Sequence, residues 1–277
     1  MEASALSMFS LAGKRALLTG GAGVLCHALG RGLARAGAEV ILGDLRGDAA
    51  ESAAAELRKE GLKAHGMTLD VLNPDSLAEA AVQLQARGGL DILLNGAGGN
   101  QPAATVSAEV SFFDLPLDAL RRVVDLNLFG GAILPAQRLG PLMVRNPNGG
   151  VILNISSITT FRPMTRVVGY SAAKGAVNNF TQWLAVHVAR EHGPKIRVNA
   201  IAPGFFLTEQ NRYLLTDKDT GKFTARGEAI LAHTPMGRLG DPDDLVGAAV
   251  WLCSDAARFV TGIVLPIDGG FSAYSGV

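Results

Sequence analysis

Three residues in the second half of the chain have the types and the spacing of a proton-transfer site. Tyr170 and Lys174 lie four residues apart in the segment Tyr-Ser-Ala-Ala-Lys, and Ser157 precedes the tyrosine by thirteen residues. Positions i and i+4 of a helix share a face, so an ammonium group beside the phenol would stabilise its anion. The unperturbed pKa of tyrosine is about 10, and such a shift would make the phenol usable near neutral pH. A hydroxyl from Ser157 would then hold the reacting oxygen.

Ser156 is the alternative hydroxyl for this role. Both serines follow the apolar run 151–155, which predicts a buried strand. Side chains alternate between the two faces of a strand, so the two serines should point in opposite directions. The spacing to the tyrosine favours Ser157.

Apolar, β-rich runs recur along the chain, and each but the last is followed by a helix-like stretch. The runs are 15–19, 39–43, 63–69, 91–94, 151–155, 196–201 and 262–266. Continuous apolar strands that alternate with helices predict a doubly wound, seven-stranded parallel sheet with helices on both faces. No linker or repeat divides the chain, so 1–277 is expected to be a single domain.

Two stretches depart from this regular alternation. Residues 117–144 predict one long helix that kinks or breaks at Pro135 and Pro141. Residues 203–241 are polar and irregular, which favours a lid-like segment at about 205–238 over the site.

Composition narrows the functional class. The 277 residues are 48% hydrophobic and 18% charged, with 25 basic and 25 acidic side chains. A zero net charge gives no field for binding nucleic acid. The two cysteines, Cys26 and Cys253, fit neither a disulfide framework nor a metal site, so no metal is expected and a reducing cytoplasm is the simplest location. The chain shows no secretion signal at its start and no apolar run long enough to span a membrane.

A glycine-rich turn follows the first predicted strand. Thr19-Gly20-Gly21-Ala22-Gly23 leads into a helix-like stretch, and this order suits a dinucleotide pyrophosphate at the helix N-terminus. A plain tight turn is the alternative. Asp44 ends the second strand, where a carboxylate can accept from ribose hydroxyls and repel a 2′-phosphate. This favours NAD over NADP, although Arg46 nearby would soften the discrimination.

Two further segments follow strands on the same side of the predicted sheet. Asp70 would lie beside the adenine, or would instead cap the helix that begins near Pro74. Asn95-Gly-Ala-Gly98 would let the adenosine lie against bare backbone, or would be a structural turn.

Together these segments resemble the short-chain dehydrogenase/reductase family. The similarity rests on Thr19-Gly20, Asn95 to Gly98, Asn127, Ser157, Tyr170-x-x-x-Lys174 and Pro203-Gly204, and it spans nearly the whole chain. The resemblance implies a Rossmann-like fold and a catalytic tetrad in which Asn127 sustains a water relay and Lys174 also binds the nicotinamide ribose. The cofactor-binding residues that it implies are Gly20, Gly21, Gly23, Val24, Leu25, Asp44, Leu45, Asp70, Val71, Asn95, Gly96, Ala97, Gly98, Tyr170, Lys174, Pro203, Gly204, Phe206 and Thr208.

Three positions depart from the family pattern. The family usually has glycine where Val24 and Cys26 stand, and asparagine where Gly96 stands. The two larger side chains would project toward the pyrophosphate or into helix packing. The Cys26 thiol would be either a packed apolar group or a site of oxidative inhibition.

More narrowly, the chain resembles the D-mannonate oxidoreductase (fructuronate reductase) branch of the family. The segments 97–102, 161–166, 180–187, 202–212 and 269–277 carry this similarity. It implies a keto sugar acid as the substrate and a homotetramer as the assembly. A guanidinium group binds a carboxylate through two parallel hydrogen bonds. The candidate substrate residues are the arginines Arg162, Arg166 and Arg212 and the amides Asn100, Gln101 and Gln210.

Two alternatives stay open at this stage. One is a dehydrogenase of another polyol or sugar acid, such as gluconate. The other is a non-catalytic dinucleotide-binding scaffold, which the altered glycine turn would suit.

Overall fold

A seven-stranded parallel sheet organises the chain in the computed structural model, which describes residues 5–207, 215–217 and 220–276. The strands run in the spatial order β3-β2-β1-β4-β5-β6-β7, and all neighbouring pairs are parallel. Their bounds are β1 Arg15–Thr19, β2 Glu39–Asp44, β3 Ala64–Thr68, β4 Ile92–Asn95, β5 Gly150–Ile155, β6 Ile196–Pro203 and β7 Val264–Ile267. The doubly wound, Rossmann-like fold class predicted from the sequence is confirmed.

Helices cover both faces of the sheet. Their bounds are α1 Val24–Arg35, α2 Gly47–Lys59, α3 Pro74–Ala86, α4 Leu117–Val124, α5 Leu134–Arg145, α6 Val168–Glu191, α7 Ala225–Ala232 and α8 Val246–Cys253. Within β1, Leu18 packs on the face covered by α1, α2 and α8, whereas Leu17 packs on the face covered by α3, α5 and α6. Both leucines are fully buried. A strand buried on both sides must be apolar at every position, which explains the continuous runs in the sequence.

The strand order reverses direction between β1 and β4. β2 and β3 lie on one side of β1, and β4 to β7 lie on the other. The loops after β1 and β4 therefore leave the sheet toward opposite faces and open a crevice between them, which is where ligands bind in this class of sheet.

The long helix predicted over 117–144 is interrupted, but not where its prolines alone would place the break. Residues Asp125–Ile133 form a wide π-helical segment between α4 and α5. Pro135 lies in the first turn of α5, where a missing N–H is tolerated, and Pro141 lies inside α5 without ending it. The irregular geometry therefore falls just before Pro135.

The irregular segment after β6 contains one short helix among its described residues. Thr224 caps α7 by accepting a hydrogen bond at Oγ1 from the backbone N–H of Gly227, at 3.2 Å. Isolated bridges join Thr216 to Phe223 and Phe206 to Gly240. Closure of this segment as a lid stays a prediction.

A search of the described helices for a membrane span found none that combines sufficient length with sufficient apolar character.

Two of the departures from the family pattern compensate each other in space. The Cys26 thiol is buried and lies 3.5 Å from the carbonyl oxygen of Thr19, at the end of β1. A Cβ atom at Gly96, just after β4, would overlap Sγ of Cys26. The sulfur of α1 therefore fills the space that a side chain at position 96 would occupy, so a larger residue at 96 requires a smaller one at 26.

This complementarity predicts a coupled effect on stability. Gly96→Ala should lower the free energy of unfolding by about 1–3 kcal/mol, because the new methyl group overpacks against Cys26. Cys26→Ala in the same chain should recover much of that loss, since it removes the sulfur atom and keeps the Cβ atom. Urea denaturation of the two single variants and the double variant measures the coupling.

Gly98→Ala is the matched control. Its new Cβ atom would meet Asn127 Oδ1 at 2.7 Å and would not approach Cys26, so Cys26→Ala should not relieve its cost. Equal costs of Gly96→Ala in the presence and absence of the thiol would contradict the packing argument.

Candidate active site

Tyr170 lies where two cavities meet. The first, the glycine-turn cleft, has a volume of about 420 Å³ and is bounded by the turn after β1, Asp44, the backbone 96–99 and Lys174. The second, the serine–tyrosine cavity, has a volume of about 560 Å³ and is bounded by residues 99–102, 157–159, Arg166 and Arg226, among others. Tyr170 lines both cavities. A molecule in either cavity would therefore border the same phenol.

Ser157 is positioned by the turn that follows β5. It precedes the short 3₁₀ helix Ile158–Thr160, and its Oγ accepts a hydrogen bond from the Thr159 N–H at 3.2 Å. Burial raises the pKa of Tyr170 above its ordinary value, and a hydrogen bond with Ser157 partly offsets this rise. The phenol therefore stays protonated at neutral pH in the ligand-free protein.

Ser156, the alternative hydroxyl, faces the other way. Its Oγ donates a short hydrogen bond to Oδ1 of Asn178 on α6, and its side chain is buried. The alternation of side chains at the strand end thus places Ser157, and not Ser156, beside the tyrosine.

Lys174 is a buried ammonium group at the floor of the glycine-turn cleft. Nζ donates a hydrogen bond of 2.7 Å to the carbonyl oxygen of Ile155, the last residue of β5, and lies 5.7 Å from the centre of the Tyr170 ring. Burial lowers the pKa of Lys174 to about 8, with Cys26 acting in the opposite direction. The sequence predicts that Lys174 lowers the pKa of Tyr170, but in the structure burial raises this pKa and Ser157 lowers it, and Lys174 is not among the causes.

Asn127 projects from the π-helical segment and is fully buried. Its Oδ1 accepts from the Gly99 N–H at 3.0 Å, and its Nδ2 donates to the carbonyl oxygens of Gly99 and Val123 at 2.6 and 2.8 Å. A Cβ atom at Gly98 would lie 2.7 Å from Asn127 Oδ1 and 3.3 Å from Lys174 Nζ. Asn127 thus fixes the backbone of Gly99, which lines both cavities. Because Gly98 has no side chain, the Lys174 ammonium can approach this backbone.

The glycine-turn cleft has the features that a dinucleotide requires. Gly23 precedes α1, and within the described residues no side chain caps it, so the first N–H groups of the helix are available to a phosphate. Gly20 has a φ of +67°, and a Cβ atom there would lie only 3.0–3.2 Å from the backbone of residues 96 and 97, so both the conformation and the close approach disfavour a side chain. The cleft therefore fits a nicotinamide dinucleotide, NAD or NADP, whereas the sequence favours NAD.

Asp44 borders the cleft with its carboxylate already oriented. Oδ2 accepts from the Ala22 N–H at 3.2 Å, Oδ1 accepts from the Arg46 N–H at 3.1 Å, and the Arg46 guanidinium Nε lies 3.8 Å from Oδ1. Both charged residues line the cleft. A negative and a positive group thus compete at the position where the sequence places the ribose.

The structure brings many of the predicted cofactor residues to this cleft. Those that line it are Gly20, Gly23, Val24, Leu25, Asp44, Gly96, Ala97, Gly98, Tyr170 and Lys174. Thr208 lies outside the described residues. Gly204 borders the serine–tyrosine cavity instead. The residues that line neither cavity are Gly21, Leu45, Asp70, Val71, Asn95, Pro203 and Phe206.

Four of the residues outside the cleft have structural partners of their own. Asn95 is fully buried and donates at 2.9 Å to Asn154 on β5, and Phe206 is buried against Gly240. Gly21 packs so closely on Leu42 that a Cβ atom would overlap it. Asp70 accepts from the Leu72 N–H at 2.9 Å and does not cap α3, because Asn73 does so.

Three of the predicted substrate residues line the serine–tyrosine cavity, namely Asn100, Gln101 and Arg166. Arg162 does not line it, and its Nε instead donates to the carbonyl oxygen of Ser272 at 3.4 Å on the exposed surface. Gln210 and Arg212 lie outside the described residues.

Arg226 lines the cavity but is absent from the sequence prediction. It lies in the first turn of α7, within the segment that the sequence marks only as irregular. A cation in the first turn of a helix opposes the helix dipole. That local conflict, directly after the capping residue Thr224, is the sequence signal that would have identified it.

The buried ammonium predicts a pH dependence of stability. The pKa of Lys174 is about 8 in the folded chain against its ordinary value of 10.5, so between these values the unfolded chain binds more protons. The cost of burying the charge is fully present below pH 8 and disappears as the pH rises toward 10.5.

Lys174→Met removes this titration. The unfolding free energy of the variant, relative to the native chain, should therefore fall by roughly 3 kcal/mol between pH 7.5 and 10.5. Urea denaturation of both proteins across this range measures the difference. A difference that does not vary with pH would show that the ammonium is not buried as described.

Comparison with known proteins identifies the family to which this chain belongs. A family model described as enoyl-(acyl carrier protein) reductase matches residues 22–272. An uncharacterized oxidoreductase of Bacillus subtilis (strain 168), UxuB, is 45% identical over 278 residues, which cover 97% of this chain and 98% of that protein.

Solved structures give the same result. A crystal structure from Haemophilus influenzae, provisionally assigned as a D-mannonate oxidoreductase and containing NAD, is similar with a TM-score of 0.89 and 41% identity, covering 99% of this chain and all of that one. A gluconate 5-dehydrogenase from Burkholderia cenocepacia J2315, in complex with NADP and tartrate, is similar with a TM-score of 0.86 and 34% identity, covering 98% and 100%. The chain therefore belongs to the short-chain dehydrogenase/reductase family of NAD(P)-dependent oxidoreductases.

Proposed function

We propose that this protein is an NAD(H)-dependent oxidoreductase that interconverts a sugar-acid ketone and its alcohol, with D-fructuronate and D-mannonate as the substrate pair. The observation that carries the proposal is the position of Tyr170, which borders both cavities, with Ser157 lining the serine–tyrosine cavity beside it. The phenol can then contact a substrate carbonyl oxygen in the serine–tyrosine cavity while a nicotinamide lies in the adjoining glycine-turn cleft.

Tyr170 and Ser157 have different roles in the proposed reaction. When bound, the nicotinamide supplies or accepts the hydride. Tyr170 donates its phenolic proton to the ketone oxygen during reduction and takes the proton back during oxidation. Ser157 donates a hydrogen bond that holds this oxygen. The raised pKa of Tyr170 keeps the phenol protonated at neutral pH, which suits proton donation to a ketone.

Lys174 and Asn127 support the two hydroxyl groups from behind, Lys174 through its charge and Asn127 by holding the backbone. The ammonium of Lys174 stands near the phenol and borders the glycine-turn cleft, so it can bind the hydroxyls of the nicotinamide ribose and stabilise a phenolate as it forms. Asn127 holds the backbone of Gly99 between the two cavities. In this role it positions the reacting groups, and a water relay through it is part of the proposal.

The substrate assignment is supported by the polar lining of the serine–tyrosine cavity and by the relatives. The cavity combines the amides Asn100 and Gln101 with the guanidinium of Arg166, groups that suit hydroxyls and a carboxylate. The similar Haemophilus influenzae structure is provisionally a D-mannonate oxidoreductase with NAD. Oxidation of gluconate is the second candidate, because a gluconate 5-dehydrogenase is similar over the full chain.

We also propose NAD rather than NADP, a cytoplasmic location and a homotetramer. The Asp44 carboxylate in the cleft supports the first of these. The groove between α5 and α6 supports the last, because it exposes apolar side chains such as Val144 and Trp183 that a second subunit would cover.

The central test is the removal of the phenolic hydroxyl. The native protein should oxidise NADH with D-fructuronate and reduce NAD with D-mannonate, and Tyr170→Phe should lower kcat by about 10²- to 10⁴-fold, the usual contribution of a general acid. NADH fluorescence should show that the variant still binds the cofactor. Initial rates across D-mannonate, D-gluconate and neutral polyols identify the substrate class.

The two serines provide the matched control. Ser157→Ala should lower kcat, whereas Ser156→Ala should not, since the Ser156 hydroxyl donates to Asn178 on α6 and points away from Tyr170. Full turnover by Tyr170→Phe would remove the tyrosine from its role. Cofactor binding by the native protein without turnover of any substrate would favour the non-catalytic scaffold.

Cofactor choice is tested at the two opposite charges beside the cleft. Asp44→Asn should shift the ratio of kcat/KM for NADP to that for NAD by about tenfold toward NADP, because it removes roughly 1.4 kcal/mol of repulsion against the 2′-phosphate. Arg46→Gln should shift the ratio the other way. Steady-state kinetics with both cofactors give these ratios, and an unchanged ratio in Asp44→Asn would refute the role of the carboxylate.

A further inference from the structure

Two arginines line the cavity that is also lined by Ser157 and Tyr170. Arg166 belongs to the loop before α6, and Arg226 belongs to the first turn of α7, so the two reach the cavity from elements far apart in the chain. Ser157 and Tyr170 line the same cavity. Any anion bound between the arginines would therefore share a space of about 560 Å³ with the reacting oxygen.

The arrangement is unfavourable in the ligand-free protein. Burial lowers the pKa of Arg226, and the positive charge of Arg166 lowers it further, so the two like charges are close enough to repel each other. Arg226 also opposes the dipole of α7. Within the described ranges, neither guanidinium has an acidic partner within 4.0 Å. Such costs are expected where a protein is built to receive an anion.

Among the described residues, the carboxylate of Glu109 interacts electrostatically with Arg166. Hydrogen bonds from Ser107 and from its own backbone lower the pKa of Glu109, and Arg166 adds a smaller contribution. Glu109 is on the exposed surface, where a partner at this range does little to neutralise Arg166. No carboxylate among the described residues therefore neutralises the positive charge that borders the cavity.

The cavity wall also contains polar atoms without partners. Among the described residues, Oδ1 of Asn100 and Oγ1 of Thr159 are buried and make no hydrogen bond, although both residues line this cavity. The amide of Asn100 is held in place, because its Nδ2 donates to Thr105 Oγ1 at 2.7 Å. The protein itself therefore leaves polar groups unsatisfied in the wall beside this cavity.

The geometry points to Arg166 and Arg226 as a carboxylate-binding subsite that selects acidic over neutral polyhydroxy substrates. This inference rests on the proposed function. It assigns recognition of the substrate carboxylate to Arg166 and Arg226, whereas the sequence suggests Arg162 and not Arg226. Each guanidinium presents paired N–H donors to a carboxylate, and the bound anion removes the repulsion between them.

Arg226→Gln tests the subsite, with Arg162→Gln as the matched control on the exposed surface outside the cavity. Loss of one charged hydrogen-bonding partner should raise the KM for a sugar acid by about tenfold or more. The KM for neutral polyols and the affinity for NADH should not change. Arg166→Gln should act like Arg226→Gln, and Arg162→Gln should act like the native chain.

Thermal unfolding separates recognition from a structural role. Without ligand, Arg226→Gln should raise Tm, because the substitution relieves the repulsion from Arg166 and the conflict with the helix dipole. An arginine that only supports the fold would lower Tm when replaced. D-gluconate, used as a simple sugar-acid probe, should raise the Tm of the native protein and of Arg162→Gln but not that of Arg226→Gln.

The outcomes distinguish this inference from the proposed function. If the native protein prefers sugar acids and Arg226→Gln behaves like Arg162→Gln, the subsite is refuted while the proposed function stands. If the native protein turns over neutral polyols alone but gluconate still raises its Tm through Arg226, the proposed substrate class and the selection of acids are refuted, and carboxylate binding at the arginine pair stands. A native protein that neither prefers acids nor responds to gluconate would overturn both.

Discussion

A buried ammonium group connects the two halves of the candidate site. Lys174 on α6 donates to the last carbonyl of β5, and it lies against the backbone of Gly98 and near the ring of Tyr170. A charge removed from water is costly unless it is hydrogen-bonded, so this contact fixes the helix relative to the sheet. The buried ammonium also restricts which residues can stand next to it. Gly98 has no side chain because the ammonium and the amide of Asn127 occupy the space where one would project.

The site also concentrates features that stability alone would remove. Lys174 has a depressed pKa, two arginines face the same cavity, and buried oxygens of Asn100 and Thr159 lack partners among the described residues. An anion bound between the two arginines would offset their mutual repulsion. This pattern is expected of a site in which local rules are broken for function and the cost is borne by a well-packed sheet.

Much of the fold follows from local patterns, because strands buried on both faces must be apolar throughout. All seven strands fall at the predicted runs, and the glycine turn, Asp44 and Tyr170 line the expected crevice. The interruption of the long helix was less accessible, since a proline in a first turn and a proline inside a helix look alike in sequence but act differently. Asn95 and Phe206 satisfy the spacing of cofactor residues, yet their side chains are committed to β5 and to Gly240.

The sequence by itself determined the layered fold, the family and the pairing of Tyr170 with Lys174, because apolar period, turn chemistry and helical spacing are properties of neighbouring residues. Only the tertiary structure decided that Cys26 fills the space at Gly96, that Arg162 lies outside the serine–tyrosine cavity, and that Arg226 lines this cavity with Arg166. Each of these depends on which faces of distant elements come into contact. Packing and charge act across space, and the order of residues along a chain does not state those distances.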